Sequence, residues 1–405
     1  MPVTFINISQ KFSPLTRKKY LYDKIILRKD FGAKKMSKIK VMTVFGTRPE
    51  AIKMAPLVKE LEKFPETFES IVCVTAQHRE MLDAVLNLFE IKPDYDLNIM
   101  KKNQNLWSIT SDVLMKMKEV YDEVKPDIVL VHGDTTTSMA AGLSAFYAKI
   151  PVGHVEAGLR TNDKYNPFPE EINRVVVDAL CEYHFAPTNT SMENLKKAQV
   201  PMTHAYKTGN TVIDALLYIV NNKEADISKL GLNPDLRTVL VTAHRRENFG
   251  EPIKNICAAI AQLVEQNKDI QVIYPVHPNP NITNVVHELL DGQERIILTE
   301  PQDYAPFSTL MKKSVMIMTD SGGVQEEAPS LGKPVLVLRR TTERPEAVEY
   351  GTVKLVGTET ADIVKEANKL LNDEEAYKKM SEAINPYGDG TASSQIVEIL
   401  KSIKN

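Results

Sequence analysis

The 405-residue sequence is poor in the features that assign a chain to a class at once. Its three cysteines, Cys73, Cys181 and Cys257, are far apart and form no metal or redox spacing, which excludes a disulfide scaffold and points to free thiols in a reducing compartment. No apolar run approaches the roughly 18 residues a membrane helix needs, so no membrane partner is expected. An excess of one charge is also lacking. The formal net charge is -3, which gives no reason to expect nucleic acid or an anionic surface as partner. The histidines never fall at HxxxH or HExxH spacing, so no protein-held metal is expected. A GxSxG elbow is missing, which argues against a Ser-His-Asp hydrolase. A GxGxxG dinucleotide fingerprint, internal repeats and low-complexity tracts are missing as well.

What is there suits a globular protein of two domains: 43% hydrophobic and 25% charged residues, at a length able to bury two cores. Residues 1–35 stand apart. They are rich in Lys and Arg and carry no signal-peptide core with a small-residue cleavage site, so they read as an extension outside the fold, with Met36 opening the compact chain.

From there apolar β-branched runs alternate with helical spacing. Ile39 to Phe45 stops at Gly46-Thr47-Arg48-Pro49-Glu50, and Ile52, Pro56, Leu57 and Leu61 then share a helical face. Pro49 suits a first helical turn, and Glu50 suits the positive helix end. Such a strand, glycine turn and helix start can take an anion, with Arg48 in reach. Ser70 to Thr75, Ile128 to Val131 and Tyr183 to Thr188 read as further strands, the last closing the sheet, and Leu106 to Tyr121 as a helix with Trp107 in the core. The pattern restarts after Thr208-Gly209-Asn210, read as a hinge. Strands at Thr238–Thr242, Ile270–Pro275, Ile296–Leu298, Val315–Thr319 and Val335–Leu338 follow. This alternation predicts an α/β protein with parallel, doubly wound sheets. Polar residues gather after each strand, which is what a cleft at the carboxyl ends would leave in a sequence.

The densest signal runs from Val129 to Arg174. Two strand-like runs stop at carboxylates, Asp134 and Glu156, and Glu170 stands at a helix start. Three carboxylates in one cleft suggest proton transfer, with mutual repulsion and burial driving their pKa values apart. In the second half, Asp320-Ser321-Gly322-Gly323 follows a strand, where helix amides can take diphosphate oxygens and Glu327 can take ribose hydroxyls. Arg344 adds positive charge. Gln302 and Phe307, on one loop, are candidates to hold a base. His244 follows a strand beside Arg245 and can bind phosphate or move a proton.

Taken together, GTRPEAIKMAPL (46–57), TAQHREML (75–82), VHGDTTTS (131–138), GHVEAGLRT (153–161), PEEINR (169–174), TGNTVIDAL (208–216), HRREN (244–248), DSGGVQEEAPSLGKPVLV (320–337) and TTERPEAV (341–348) resemble the non-hydrolysing UDP-N-acetylglucosamine 2-epimerases. The resemblance runs from about Lys40 to the last helix. It implies a glycosyltransferase-B-type fold of two Rossmann-like domains with the active site between them. The boundaries would be an extension at 1–35, a first domain at 36–206, a second at 207–384 and a carboxyl-terminal helix at 385–405 packing back on the first. It further implies a cytoplasmic homodimer that interconverts UDP-N-acetylglucosamine and UDP-N-acetylmannosamine for surface polysaccharide or teichoic-acid linkage synthesis, without a cofactor.

Residue by residue, the resemblance assigns substrate binding to Arg48, Lys53, Asp134, Glu156 and His244, with uracil, ribose and diphosphate contacts at Gln302, Phe307, Ser321, Gly322, Gly323, Glu327 and Arg344. Asp134, Glu156, Glu170 and His244 carry the catalysis. Gln77, Arg245 and His277 match positions where some members bind a second UDP-sugar as activator. The hydrogen on carbon 2 is not beside a carbonyl, so its direct removal is very difficult; elimination of UDP to 2-acetamidoglucal and re-addition avoids it. A glycosyltransferase of the same fold, a hydrolysing epimerase and a catalytically silent UDP-sugar sensor are the competing readings.

Overall fold

The computed structural model describes residues 37–76, 79–101 and 104–403. Residues 1–35 and Gln77 lie outside the described residues. The central apolar runs form strands buried on both faces; all five residues of Ile128–His132 are buried. The first sheet comprises β1 (Ile39–Phe45), β2 (Phe68–Val74), β3 (Tyr95–Asp96), β4 (Ile128–His132), β5 (Val152–Val155), β6 (Tyr183–Ala186) and β7 (Ala205–Lys207), in the order β3-β2-β1-β4-β5-β6-β7. The second comprises β8 (Arg237–Thr242), β9 (Ile270–Pro275), β10 (Ile296–Thr299), β11 (Met316–Thr319), β12 (Val335–Val337) and β13 (Val353–Leu355), in the order β10-β9-β8-β11-β12-β13. Every pairing is parallel. These are two Rossmann-like, doubly wound sheets of the glycosyltransferase-B type.

Each order reverses direction once, between β1 and β4 and again between β8 and β11. The chain segments that leave these strands diverge to opposite faces, and the gap between them is where ligands sit in such folds. Arg48 and Asp134 leave the first gap, and His244 and Ser321 leave the second. The sequence places candidates at both positions before any topology is known.

Three expectations are corrected. β6 does not close the first sheet: β7 pairs outside it, through Ala205, Tyr206 and Lys207. A three-residue edge strand has too little length to show a period. Trp107 is not core but 82% exposed. It sits at the start of the helix Leu106–Val124, whose inward stripe is already filled by Ile109, Val113, Met117, Val120 and Tyr121. Phe307 lies not on a loop but inside the helix Tyr304–Lys313, packed against the core.

The segment read as a hinge opens the helix Thr211–Asn222, and this helix packs on both sides. Val212, Ile213, Leu216 and Ile219 join a single buried cluster with Met54 and Leu57 of the helix Arg48–Glu62 and with Leu310 and Val324 of the second half. The last helix, Ala392–Leu400, adds Ile396, Val397 and Leu400 to the same cluster. Asp214 holds its start, accepting from the Ser393 N–H at 2.7 Å and the Ala392 N–H at 3.3 Å.

Candidate active site

At the first switch point the turn after β1 is locked to the turn after β4. Glu50, 1% exposed, accepts from the Gly46 and Thr47 N–H groups at 3.0 and 2.8 Å and from the Thr135 and Ser138 hydroxyls at 2.6 and 3.0 Å. The residue predicted to suit the helix end is thus the clamp between the two turns. Gly46 is required by close approach. A Cβ there would lie 1.9 Å from Thr75 Oγ1. Arg48, just beyond, lines a cavity of about 410 Å³ with Asp303, Tyr304 and Ala305 of the second half.

The carboxylates are arranged differently from the expectation. Instead of crowding one another, two of them have cations of their own. Asp134 pairs with Arg174, and its carbonyl accepts from Asn173 Nδ2 at 2.9 Å. Glu170 begins the helix Glu170–Leu180, one turn before Arg174, and has one buried oxygen without a partner. Glu156 pairs with Lys53 and lies 3.7 Å from His132. Burial opposes ionisation of Glu156, but the Lys53 ammonium and then His132 outweigh it and hold the carboxyl well below its ordinary range. Glu156 also has φ of 67°, a left-handed conformation costing a non-glycine residue on the order of 1–3 kcal/mol. That strain turns the chain immediately after β5. Beneath it, His154 bridges Asp178 Oδ1 at 2.6 Å and the Gly133 carbonyl at 2.8 Å, bracing the turn that carries Asp134.

At the second switch point Asp320, buried after β11, accepts from the His244 and Arg245 N–H groups at 2.7 and 2.8 Å and from Asn248 Nδ2 at 2.8 Å. This fixes the turn after β8. The His244 ring stacks on His277 at 5.4 Å, with Nδ1 3.4 Å from Asp320 Oδ1. Burial, against the pull of Asp320 and with help from His277 and Arg245, lowers the His244 pKa and keeps the imidazole neutral at neutral pH. Ser321 immediately precedes the short helix Gly322–Glu327. A Cβ on Gly322 would stand 3.7 Å from Arg245 Nη2 and 3.9 Å from the Arg344 guanidinium, so two cations flank a bare stretch of backbone. Glu327 Oε1 lies 3.5 Å from the same position on Gly323, and Glu327 Oε2 accepts from the Tyr304 hydroxyl at 2.9 Å. Burial pushes the Glu327 carboxyl up to about 7, with Glu326 adding and Tyr304 opposing. Gln302 sits on the loop before the helix Tyr304–Lys313, its amide donating to the Glu300 carbonyl at 2.8 Å. Of the three activator-site candidates, Arg245 and His277 therefore stand against Gly322 and His244.

The two halves meet in a hydrogen-bonded chain. Lys53 pairs with Glu156; Asn210 Nδ2 donates to Glu156 at 2.9 Å and to Glu326 at 3.0 Å; Glu326 pairs with Arg344. Sequence reasoning missed Glu50, Asn210, Glu326 and Asp320. Glu50 was readable as a helix-start acid, though not as a clamp, and Asn210 as a cap, since Asn before a helical run is preferred there.

Fold and site together define a glycosyltransferase-B-type protein whose two Rossmann-like sheets meet at a cleft lined by paired carboxylates and cations. A sequence model described as UDP-N-acetylglucosamine 2-epimerase matches residues 59–401. The UDP-N-acetylglucosamine 2-epimerase of Escherichia coli K12 is 57% identical over 372 residues, covering 90% of this chain and 99% of its own. The crystal structure of UDP-GlcNAc 2-epimerase from Neisseria meningitidis bound to UDP-GlcNAc is 54% identical, with a TM-score of 0.80 over 91% of this chain and 100% of that one. The Methanocaldococcus jannaschii enzyme, solved in complex with UDP-GlcNAc and UDP, is 34% identical with a TM-score of 0.72 over 89% and 99% of the two chains. The chain belongs to the UDP-N-acetylglucosamine 2-epimerase family and is an isomerase.

Proposed function

We propose that the chain interconverts UDP-N-acetylglucosamine and UDP-N-acetylmannosamine by elimination and re-addition. A carboxylate takes the proton from carbon 2, the carbon 1–oxygen bond breaks, and UDP leaves with the bonding electron pair, giving 2-acetamidoglucal. UDP oxygen then attacks carbon 1 while a proton reaches carbon 2 on the opposite face. Two faces need two acid/base groups, and we assign this work to Asp134, Glu156 and Glu170 jointly. Arg48, His244, Arg344 and the amides beyond Ser321 would hold the departing UDP, with Gln302, Phe307 and Glu327 on uracil and ribose. The observation that carries the reading is the meeting of Glu156 and Lys53 with Glu326 and Arg344 across the cleft, beside a Gly322 flanked by guanidinium groups.

We also propose the domain boundaries that the resemblance implies, a cytoplasmic homodimer, and a product used for surface polysaccharide or teichoic-acid linkage. Exposed Phe146 and Tyr147, which line a cavity of about 710 Å³ with Ile150, Pro151 and Leu180, support an interface with a second copy. No helix among the described residues is long and apolar enough to cross a membrane.

The test is incubation with UDP-N-acetylglucosamine in deuterated water. Deuterium at carbon 2 of both epimers, with the nucleotide sugar intact, is expected. Epimerisation without exchange of that hydrogen, or release of free N-acetylmannosamine, overturns the proposal.

A further inference from the structure

Asn210 stands before the helix Thr211–Asn222, 3% exposed, with every polar atom of its side chain in use. Oδ1 accepts from the Val212 N–H at 3.0 Å and caps the helix. The two hydrogens of Nδ2 go to carboxylates from different sheets, Glu156 beyond β5 and Glu326 beyond β11. Its backbone N–H is tied to the Tyr387 carbonyl at 2.7 Å, so the amide has a fixed seat. Two buried carboxylates brought to one place repel unless donors stand between them. A primary amide offers two donors and an acceptor on one short side chain, which is what this junction uses.

We propose that Asn210 is a positioning residue for epimerisation: it aims the Glu156 carboxylate by tying it to Glu326 of the second sheet. The inference rests on the reading of Glu156 as an acid/base group. Seating of the second half then sets the direction of a carboxylate that belongs to the first.

Cap and bridge are separable by substitution. Asn210→Ser keeps a capping oxygen and loses both amide N–H donors that reach the two carboxylates. Asn210→Asp keeps the cap and sets a third carboxylate between two others. A misaimed acid/base group costs up to roughly 10²-fold, so kcat of Asn210→Ser should fall about ten- to a hundredfold. KM should move by less than about threefold, because binding is not what is lost. Asn210→Asp should fall further, and both variants should melt near the wild-type temperature. Adding Glu326→Gln to Asn210→Ser should cost little beyond the worse single variant, since both cut one link. Wild-type kcat in Asn210→Ser, with Glu156→Gln inactive, overturns the Asn210 inference and leaves the Glu156 reading standing. A lowered melting temperature at unchanged kcat overturns it too, assigning Asn210 to the fold alone. Normal turnover by Glu156→Gln overturns the reading of Glu156 itself.

Discussion

Asp134 and Glu327 illustrate opposite uses of a buried or half-buried acid. Asp134 is oriented by Arg174, so its amide variant should keep the cleft's shape and lose the carboxylate proposed to transfer a proton. Asp134→Asn is expected to lower kcat by roughly 10²–10⁴ with UDP affinity nearly unchanged, read by steady-state kinetics and calorimetric titration. Glu327 is held by the Tyr304 hydroxyl in a site that disfavours its charge, which raises its pKa from 4.5 to about 7. The folded state therefore binds the proton more tightly than the unfolded chain. This contribution favours the folded state most below pH about 4.5, declines as pH rises toward about 7, and is flat beyond. Glu327→Gln should remove the decline, gaining up to ~3 kcal/mol on the wild type across that window, measured by denaturant unfolding at several pH values. Parallel pH profiles of variant and wild type would refute the assignment.

At the scale of the element, the site depends on turns that leave strands at fixed angles. The turn after β1 works because Gly46 brings the backbone against Thr75 and Thr137, and because Glu50 fills the gap behind it. Gly46→Ala would drive a methyl group into Thr75 Oγ1, so it should destabilise by roughly 1–3 kcal/mol. Turnover should fall as well, since the same turn presents Arg48; equilibrium unfolding and kinetics measure the two. Much of this scale was legible beforehand. β1 and β9 begin and end where the apolar runs do, and the helix predicted over Leu106 to Tyr121 is seen as Leu106–Val124. The misses are short elements and surface aromatics. β7 and β13 have three residues each, and Trp107 looks like core in any composition-based view although its helix turns it outward. Glu50 was legible as a helix-start acid, but two of its donors come from residues 135 and 138, far along the chain.

For the molecule as a whole, one buried cluster takes in Phe45 and Leu57 of the first half together with Leu240, Ile317 and Val337 of the second, joined through the helix Thr211–Asn222. Heat should therefore unfold residues 39–403 in a single cooperative calorimetric transition rather than sheet by sheet. UDP at a hundredfold its Kd should add about 2.7 kcal/mol to that stability. Gly322→Val, which fills the space between Arg245 and Arg344, should abolish the added stability while leaving the ligand-free transition in place. An undiminished UDP shift in that variant would place the diphosphate elsewhere.

Strand and helix periods, the glycine turns and the polar residues after each strand are local properties, and they determined the doubly wound architecture and the positions where a ligand cleft would open. The partners of the charged groups are not local. Which cation neutralises Glu156 and how Asn210 holds two carboxylates at once depend on segments 54 to 116 residues apart being packed together, and why Glu327 favours its proton depends on burial that no local pattern records. Only the tertiary structure decided these, because desolvation and Coulomb interaction act through space and leave no periodic trace along the chain.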